Sequence, residues 1–376
     1  MGNLSTTIPF TELVERLMTM GRVDSPNNED YAKGIINDVY TRALPRLEDW
    51  NPIINDTGVL TMVPSYNTGT ISVNAGSTSL TGSGTTFTSL MTAADGYKIK
   101  IAGNDNIYTF TYVSATSATI SPALSGGSNI SGASYTIFKD EYQLASDFDR
   151  FLKNGSIYIY TGGRIQDIIE EVPYDCFRAD FRPEPNDNLE RAIILRTHAT
   201  TGYKIVRLNP PPKTAKVYPY DYIAKVTPLS EYTTGTIAVT NASTTVTGTD
   251  TAWSANVAAG DYFRVDNNGT GDSSKWYRVA SVGGDTSITL DTAFGENTES
   301  GMDYTICKAP TAFPSEFHEF ILYEALRIVA GESDDPNVQG FILQGQTILS
   351  DLKKNYKSRR TNAQFGISDD GYRGRR

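Results

Sequence analysis

One pattern is written twice in this chain, and it limits what the rest can be. Gly69-Thr70-Ile71-Ser72-Val73 leads to Leu80-Thr81-Gly82 and Phe87, and Gly235-Thr236-Ile237-Ala238-Val239 leads to Val246-Thr247-Gly248 and Trp253. Each copy then restarts after a glycine, at Gly96-Tyr97-Lys98-Ile99 and Gly260-Asp261-Tyr262-Phe263. Each closes on Gly-x-x-Tyr-Thr-Ile, at residues 132–137 and 301–306. Apolar residues alternate with Thr and Ser between Gly, Asn and Asp, the pattern of short half-buried strands joined by tight turns. The sequence thus predicts two copies of a small β-sandwich, at residues 66–138 and 233–307.

Both copies hand the chain on in the same way, through Lys139, Leu144 and Ser146-Asp147-Phe148 in one case and Lys308, Phe313 and Ser315-Glu316-Phe317 in the other. That similarity favours insertion into loops of one host domain over beads on a string, since insertions succeed where a module's termini lie together on a loop. The expected class is an α+β multidomain protein. Its host core comprises residues 1–65 (helical), 139–232 (β-rich) and 308–360 (helical), and residues 361–376 form a flexible basic tail.

Apolar spacing supports the helical parts. Phe10, Leu13, Val14, Leu17 and Met18 share one face; Ala32, Ile35, Ile36, Val39 and Tyr40 share another, which Pro45 should end or kink. Trp50 follows, placed to plug the base of a helix pair. Ser315 and Asp335-Pro336 mark two later helix starts. In the middle, 157–160 pairs with 164–172 and 191–197 with 203–208, while Pro219 in the strand from Lys216 to Val226 predicts an edge position. The 376 residues contain no run of about 18 apolar ones, so no transmembrane helix and no membrane partner is expected, and the first residues lack the features of a signal peptide.

Charge is unevenly placed. Lys353 to Arg376 holds eight basic and two acidic residues, a net +6, against 25 basic and 41 acidic residues elsewhere, a net −16. An acidic body argues against general DNA binding but suits a channel through which DNA slides. The basic end reads as an arm for an acidic partner or for nucleic acid.

Chemistry is sparse. His198 and His318 are the only histidines, and both read as structural. Cys176 and Cys307 have no metal or redox spacing. Asp266 to Asp272 resembles the start of a calcium loop, but the position that needs a bidentate Glu is Tyr277. No Gly-rich phosphate loop opens a helix. The expectation is a non-enzyme without cofactor, metal or catalytic residue.

The repeats resemble Ig-like β-sandwiches of phage structural proteins, and with them set aside the remaining segments resemble tailed-bacteriophage head-to-tail connector (adaptor) proteins. The likeness rests on Phe10-Thr11-Glu12-Leu13-Val14, Ile36-Asn37-Asp38-Val39-Tyr40 and Trp50. It continues in Tyr142-x-Leu144-x-Ser146-Asp147-Phe148-Asp149-Arg150, Tyr203-Lys204-Ile205, Arg207-Leu208-Asn209-Pro210-Pro211, Tyr218 to Tyr222, and Pro314-x-Glu316-Phe317-His318-Glu319. The resemblance implies a structural virion protein of the phage neck, made in the host cytoplasm. It would form a ring, typically of twelve subunits, that joins the portal protein to tail or neck proteins and lines the channel for double-stranded DNA. Lys353, Lys354, Lys357, Arg359, Arg360, Phe365, Tyr372, Arg373, Arg375 and Arg376 would then be the arm that grips the portal. Two alternatives compete. One is another tail or neck component such as a stopper, tail tube or fibre attachment. The other is a cell-surface carbohydrate-binding or adhesion protein, with Trp253, Trp276 and Tyr108 as stacking faces if they are not simply core.

Overall fold

The computed structural model describes residues 7–21, 28–89, 91–92, 96–152, 157–161, 164–179, 181–189, 191–266, 274–329 and 336–357. Two helices open the chain, α1 (Phe10–Gly21) and α2 (Glu29–Asp38); a π turn at Val39–Ala43 leads into α3 (Leu44–Leu47). Strand β1 (Ile54–Thr61) precedes the first repeat, which contains β2 (Thr70–Val73), β3 (Ser79–Ser83), β4 (Tyr97–Ile101), β5 (Ile107–Ser114), β6 (Ser117–Ser121), β7 (Ile130–Ala133) and β8 (Tyr135–Lys139). Next come β9 (Glu141–Gln143), β10 (Phe148–Phe151), β11 (Ile157–Thr161), β12 (Arg164–Glu171), α4 (Tyr174–Ala179), β13 (Arg191–Thr197), β14 (Lys204–Asn209) and β15 (Val217–Ala224). The second repeat contains β16 (Glu231–Tyr232), β17 (Thr236–Val239), β18 (Thr245–Thr249), α5 (Trp253–Asn256), β19 (Tyr262–Val265), β20 (Tyr277–Gly284), β21 (Ser287–Leu290), β22 (Glu299–Met302) and β23 (Tyr304–Cys307). Helices α6 (Glu316–Val329) and α7 (Pro336–Tyr356) follow. Several antiparallel sheets and separate helices make this an α+β protein.

The chain divides into two units, Met1–Ile53 with Val226–Arg376, and Ile54–Lys225. The first holds the helices of both chain ends and the second repeat. The second holds the central sheet and the first repeat. Each unit therefore carries one copy.

The two copies share the pairing of their first hairpin residue for residue. Thr70, Ile71, Ser72 and Val73 face Ser83, Gly82, Thr81 and Leu80; Thr236, Ile237, Ala238 and Val239 face Thr249, Gly248, Thr247 and Val246. Strand order is β7-β2-β3-β6-β5-β4-β8 in one and β22-β17-β18-β21-β20-β19-β23 in the other, where β16 adds one edge strand. Side-chain bonds repeat as well. Tyr135 donates to the Thr68 carbonyl and Tyr304 to the Thr234 carbonyl, each at 2.6 Å. Thr85 and Thr251 donate from Oγ1 to the Ala115 and Asp285 carbonyls.

The small β-sandwich expected of each copy appears as one continuous path of antiparallel strands. Only Ser134 separates β7 from β8, and only Asp303 separates β22 from β23, so the two ends of each path belong to one bent run of chain. That run joins the first and last strands of the path, so each copy wraps round its own core as a small barrel without a ladder closing it. One core fills each barrel, including Ile71, Leu80, Phe87, Ile99 and Phe110 in the first and Ile237, Val246, Trp253, Phe263 and Val279 in the second.

The central sheet runs β1-β15-β11-β12-β13-β14-β9, with β10 also on β15. Pro219 is therefore not on an edge strand, because β15 has β1 on one side and β10 and β11 on the other. The ladder to β11 is the single pair Ile157↔Tyr220 and stops short of the proline, so no ladder bond to β11 is lost there. Beneath it Tyr220, Tyr222, Phe148 and Phe151 pack edge-on and tilted, with centroids 4.8–6.3 Å apart.

Charged bonds fix each barrel within its unit. Lys98 of β4 donates to the fully buried Asp140 carboxylate at 2.7 and 2.9 Å, and Arg207 donates to the same group at 2.7 Å. Glu141 takes Lys98 at 3.0 Å and Arg196 at 2.8 Å. The Arg207 guanidinium lies 4.2 Å from the Phe181 ring centroid. Such a node holds a charge in the interior only because every partner is in place. In the other unit Arg264 of β19 grips Glu15 of α1 through two nitrogens, at 2.7 and 3.1 Å, while its guanidinium lies 4.4 Å from the Trp276 ring centroid. Arg264 and Lys100, which pairs with Glu184, hold the same place in the two barrels, opposite Thr305 and Thr136.

Gly69 and Gly235 start the barrels at φ +82° and +87°, where a Cβ would come within 2.4 Å of the Ser83 and Thr249 carbonyl oxygens. Gly69→Ala and Gly235→Ala should each cost at least about 1–3 kcal/mol in denaturant unfolding. Gly76 also has positive φ, but no atom lies near its Cβ position and the second copy has Ala242 there at φ 61°. Gly76→Ala should therefore cost about 1 kcal/mol or less. Equal losses at all three positions would refute this account of the repeat.

Candidate partner-binding site at the end of the last helix

Helices from both chain ends form one layer in the first unit. Amphipathic spacing explains it: α1 buries Phe10, Leu13, Val14 and Leu17, and α6 buries Phe317, Phe320, Ile321, Ala325 and Leu326. Helices α1 and α2 pack on α6, and α6 packs on α7. The π turn ahead of Pro45 shows how the helical run absorbs its proline. The missing N–H and the ring's clash with the preceding turn are met by a wider turn, and helix resumes for four residues.

Below this layer sits an aromatic cluster. Trp50 is fully buried, donates from Nε1 to the Leu44 carbonyl at 2.7 Å, and meets the Phe317 ring edge-on at 5.2 Å. Phe317 also contacts Phe313 at 5.0 Å and Tyr356 at 5.1 Å, and Tyr40 meets Phe313 at 6.0 Å. Burial pushes the Tyr40 hydroxyl up to about 12, although it accepts the Ala312 N–H at 3.1 Å. The last turn of α7 thus closes over Trp50, and Lys357 bridges to Trp50 through the backbone.

The three described cations of the predicted arm are tied down here. Lys353 lies 3.2 Å and Lys357 2.9 Å from the Glu48 carboxylate, whose side chain is 12% exposed; Lys354 pairs with Asp351 at 2.9 Å. Burial pushes Glu48 up, but the hydrogen bonds from Lys357 and Lys353 more than offset it, so it titrates below the ordinary range. Burial, with Glu316 beside it, raises Tyr356. Arg359, Arg360, Phe365, Tyr372, Arg373, Arg375 and Arg376 lie outside the described residues. The sequence did not single out Glu48. Its only signal is a carboxylate two residues before Trp50, opposite lysines one helical turn apart.

Other singled-out residues find plain roles. Tyr108 and Trp253 are core residues, 1% and 0% exposed, which removes both as sugar-stacking faces; Trp276 carries Arg264 on its face. Tyr277 is buried, and residues 267–273 of the calcium-like run lie outside the described residues. Among the described residues no group of three or more His, Cys, Asp and Glu could hold a metal, and no helix is long and apolar enough to cross a membrane. Cys176 is exposed on α4, whereas burial pushes the Cys307 thiol up to about 11. His198 accepts the Thr201 N–H within its turn at 3.2 Å.

His318 is buried. Its Nδ1 accepts the Ile8 N–H at 3.0 Å and its Nε2 lies 3.2 Å from the Pro310 carbonyl, which assigns the proton to Nε2. A second proton would set N–H against N–H at Ile8. Burial lowers the His318 pKa below the ordinary value. The unfolded chain therefore binds a proton more readily, so stability should fall as pH drops below about 6.5, by at most about 1.4 kcal/mol per pH unit. His318→Gln, which keeps polarity without the titration, should flatten that slope in thermal unfolding between pH 7 and 5.

Glu48 acts in a lower range. Its depressed pKa gives a contribution that is full above about pH 4.3 and is lost as pH falls through the folded value. Glu48→Gln should cost about 1–3 kcal/mol at pH 7 and expose the last turn of α7 first, read by amide hydrogen exchange at residues 350–357. Unchanged exchange there would refute the clamp.

Comparison with protein-family models, with curated proteins and with solved structures found no match to this chain.

Proposed function

We propose that this chain is a structural, non-enzymatic protein of a phage neck, a head-to-tail adaptor that assembles as a ring, of about twelve copies, beneath the portal. In this reading the helical layer and the central sheet are the adaptor core, and the two barrels are modules inserted into it. The copies assemble in the host cytoplasm and serve in the virion, between the portal and tail or neck proteins, around the passing DNA.

The observation that carries this reading is the end of α7. Trp50, Phe317, Tyr356 and Glu48 make a rigid base at the point where the chain enters its basic last segment. Two of its cations, Lys353 and Lys357, neutralise Glu48 within the chain. In this reading the arginines of the last segment, with Phe365, Ile367 and Tyr372 among them, engage the partner through charge-assisted contacts. The acidic remainder supports a channel wall that DNA does not stick to.

Truncation after Lys357 is the test, because it keeps both Glu48 ion pairs. The shortened protein should unfold at the same temperature as the full chain and lose binding to portal rings in the absence of DNA. Portal binding that survives truncation would remove the arm from the proposal. Binding to DNA alone, steeply salt-dependent and lost on truncation, would assign the arm to nucleic acid instead.

A further inference from the structure

Helix α7 stands out for what it lacks. From Pro336 to Ser350 it carries no charged residue, in a chain that is 20% charged with a net −10. Its outward positions over these turns are Gln339, Gly340, Leu343, Gln344, Gln346 and Thr347, all exposed, and Leu343 is 63% exposed. Phe341, Ile342, Ile348 and Leu349 are only half-buried against α6, and among residues 339–356 only Gly345 and Leu352 are buried. The helix is thus packed on one side and presents a neutral, partly apolar face on the other.

We infer that two copies of the free protein meet along this face, α7 against α7, in an antiparallel two-fold contact centred on Leu343. Charge selects the occupant. Copies with a net −10 repel one another at most approaches, and an uncharged face is where they touch without desolvating or opposing like charges. Symmetry selects the register. Leu343 is the midpoint of the uncharged stretch, so a two-fold through it lays the whole stretch on its counterpart, as an isologous contact requires. Gly340, with nothing within 4 Å of its Cβ position, lets the backbones approach, and the glutamine amides pair across the seam.

The contact needs no portal, so it stands or falls apart from the adaptor reading. Sedimentation of the full chain over a concentration series should show a reversible monomer–dimer equilibrium. Leu343→Glu and Leu343→Lys should each weaken it at least tenfold, whereas Val113→Glu, at an exposed position of the first barrel, should leave it unchanged. Mixing the Glu and Lys variants should restore dimers, because opposite charges then meet at the centre; circular dichroism checks that both variants fold. Dimers that survive both substitutions would overturn the proposal, as would a failure of the mixed variants to associate. A chain that stays monomeric at all concentrations would overturn it too. Protection of Leu343 from exchange in that monomer would assign the face to another part of the same chain.

Discussion

The contact of Trp50 with Phe317 joins parts of the chain that sequence holds far apart. It makes one layer out of helices from both ends, and the later elements of that layer take their places from it. Tyr356 reaches Phe317 because α7 returns along α6, and this return brings Lys353 and Lys357 to Glu48. Losing a buried aromatic of this size costs roughly 3–5 kcal/mol, a large share of the stability of a typical domain. The base beneath the basic end of the chain is thus as firm as the core above it.

What the sequence made legible follows from local physics. Tight turns and period-two alternation placed the two repeats, apolar spacing placed α1 and α2, and start signals placed α6 and α7, because these signals are carried by neighbouring residues. The bend that joins the two ends of each strand path was not legible. It depends on which strand lies beside which, and a bend at Ser134 or Asp303 leaves no trace in an alternation pattern. Pro219 misled for a related reason: whether a missing donor matters depends on where the neighbouring ladder stops. Glu48 and the Lys98–Asp140–Arg207 node stayed hidden because ion pairs across long sequence separations obey no spacing rule. The aromatic residues weighed as sugar platforms were better explained by burial, and the core holds Tyr108 and Trp253.

The barrels also show how one fold absorbs change. Where the first has Leu80, Phe87, Phe110 and Ala118, the second has Val246, Trp253, Val279 and Ile288, all buried. Two positions shrink and two grow, so volume lost at one place is regained at another. Cores accept such exchanges when total volume and patterning are kept. The polar bonds are kept more strictly: the tyrosine and threonine hydroxyls that tie the turns recur with the same acceptors.

Two barrels with the same strand order and register in one polypeptide invite exchange of hairpins during folding, the characteristic fault of repeat proteins. In this chain every strand of the central sheet except β1 lies between them in sequence, so β2–β3 and β17–β18 emerge far apart during synthesis. A long spacer lowers the local concentration of the wrong partner. The central sheet therefore also serves as a kinetic insulator between two interchangeable neighbours.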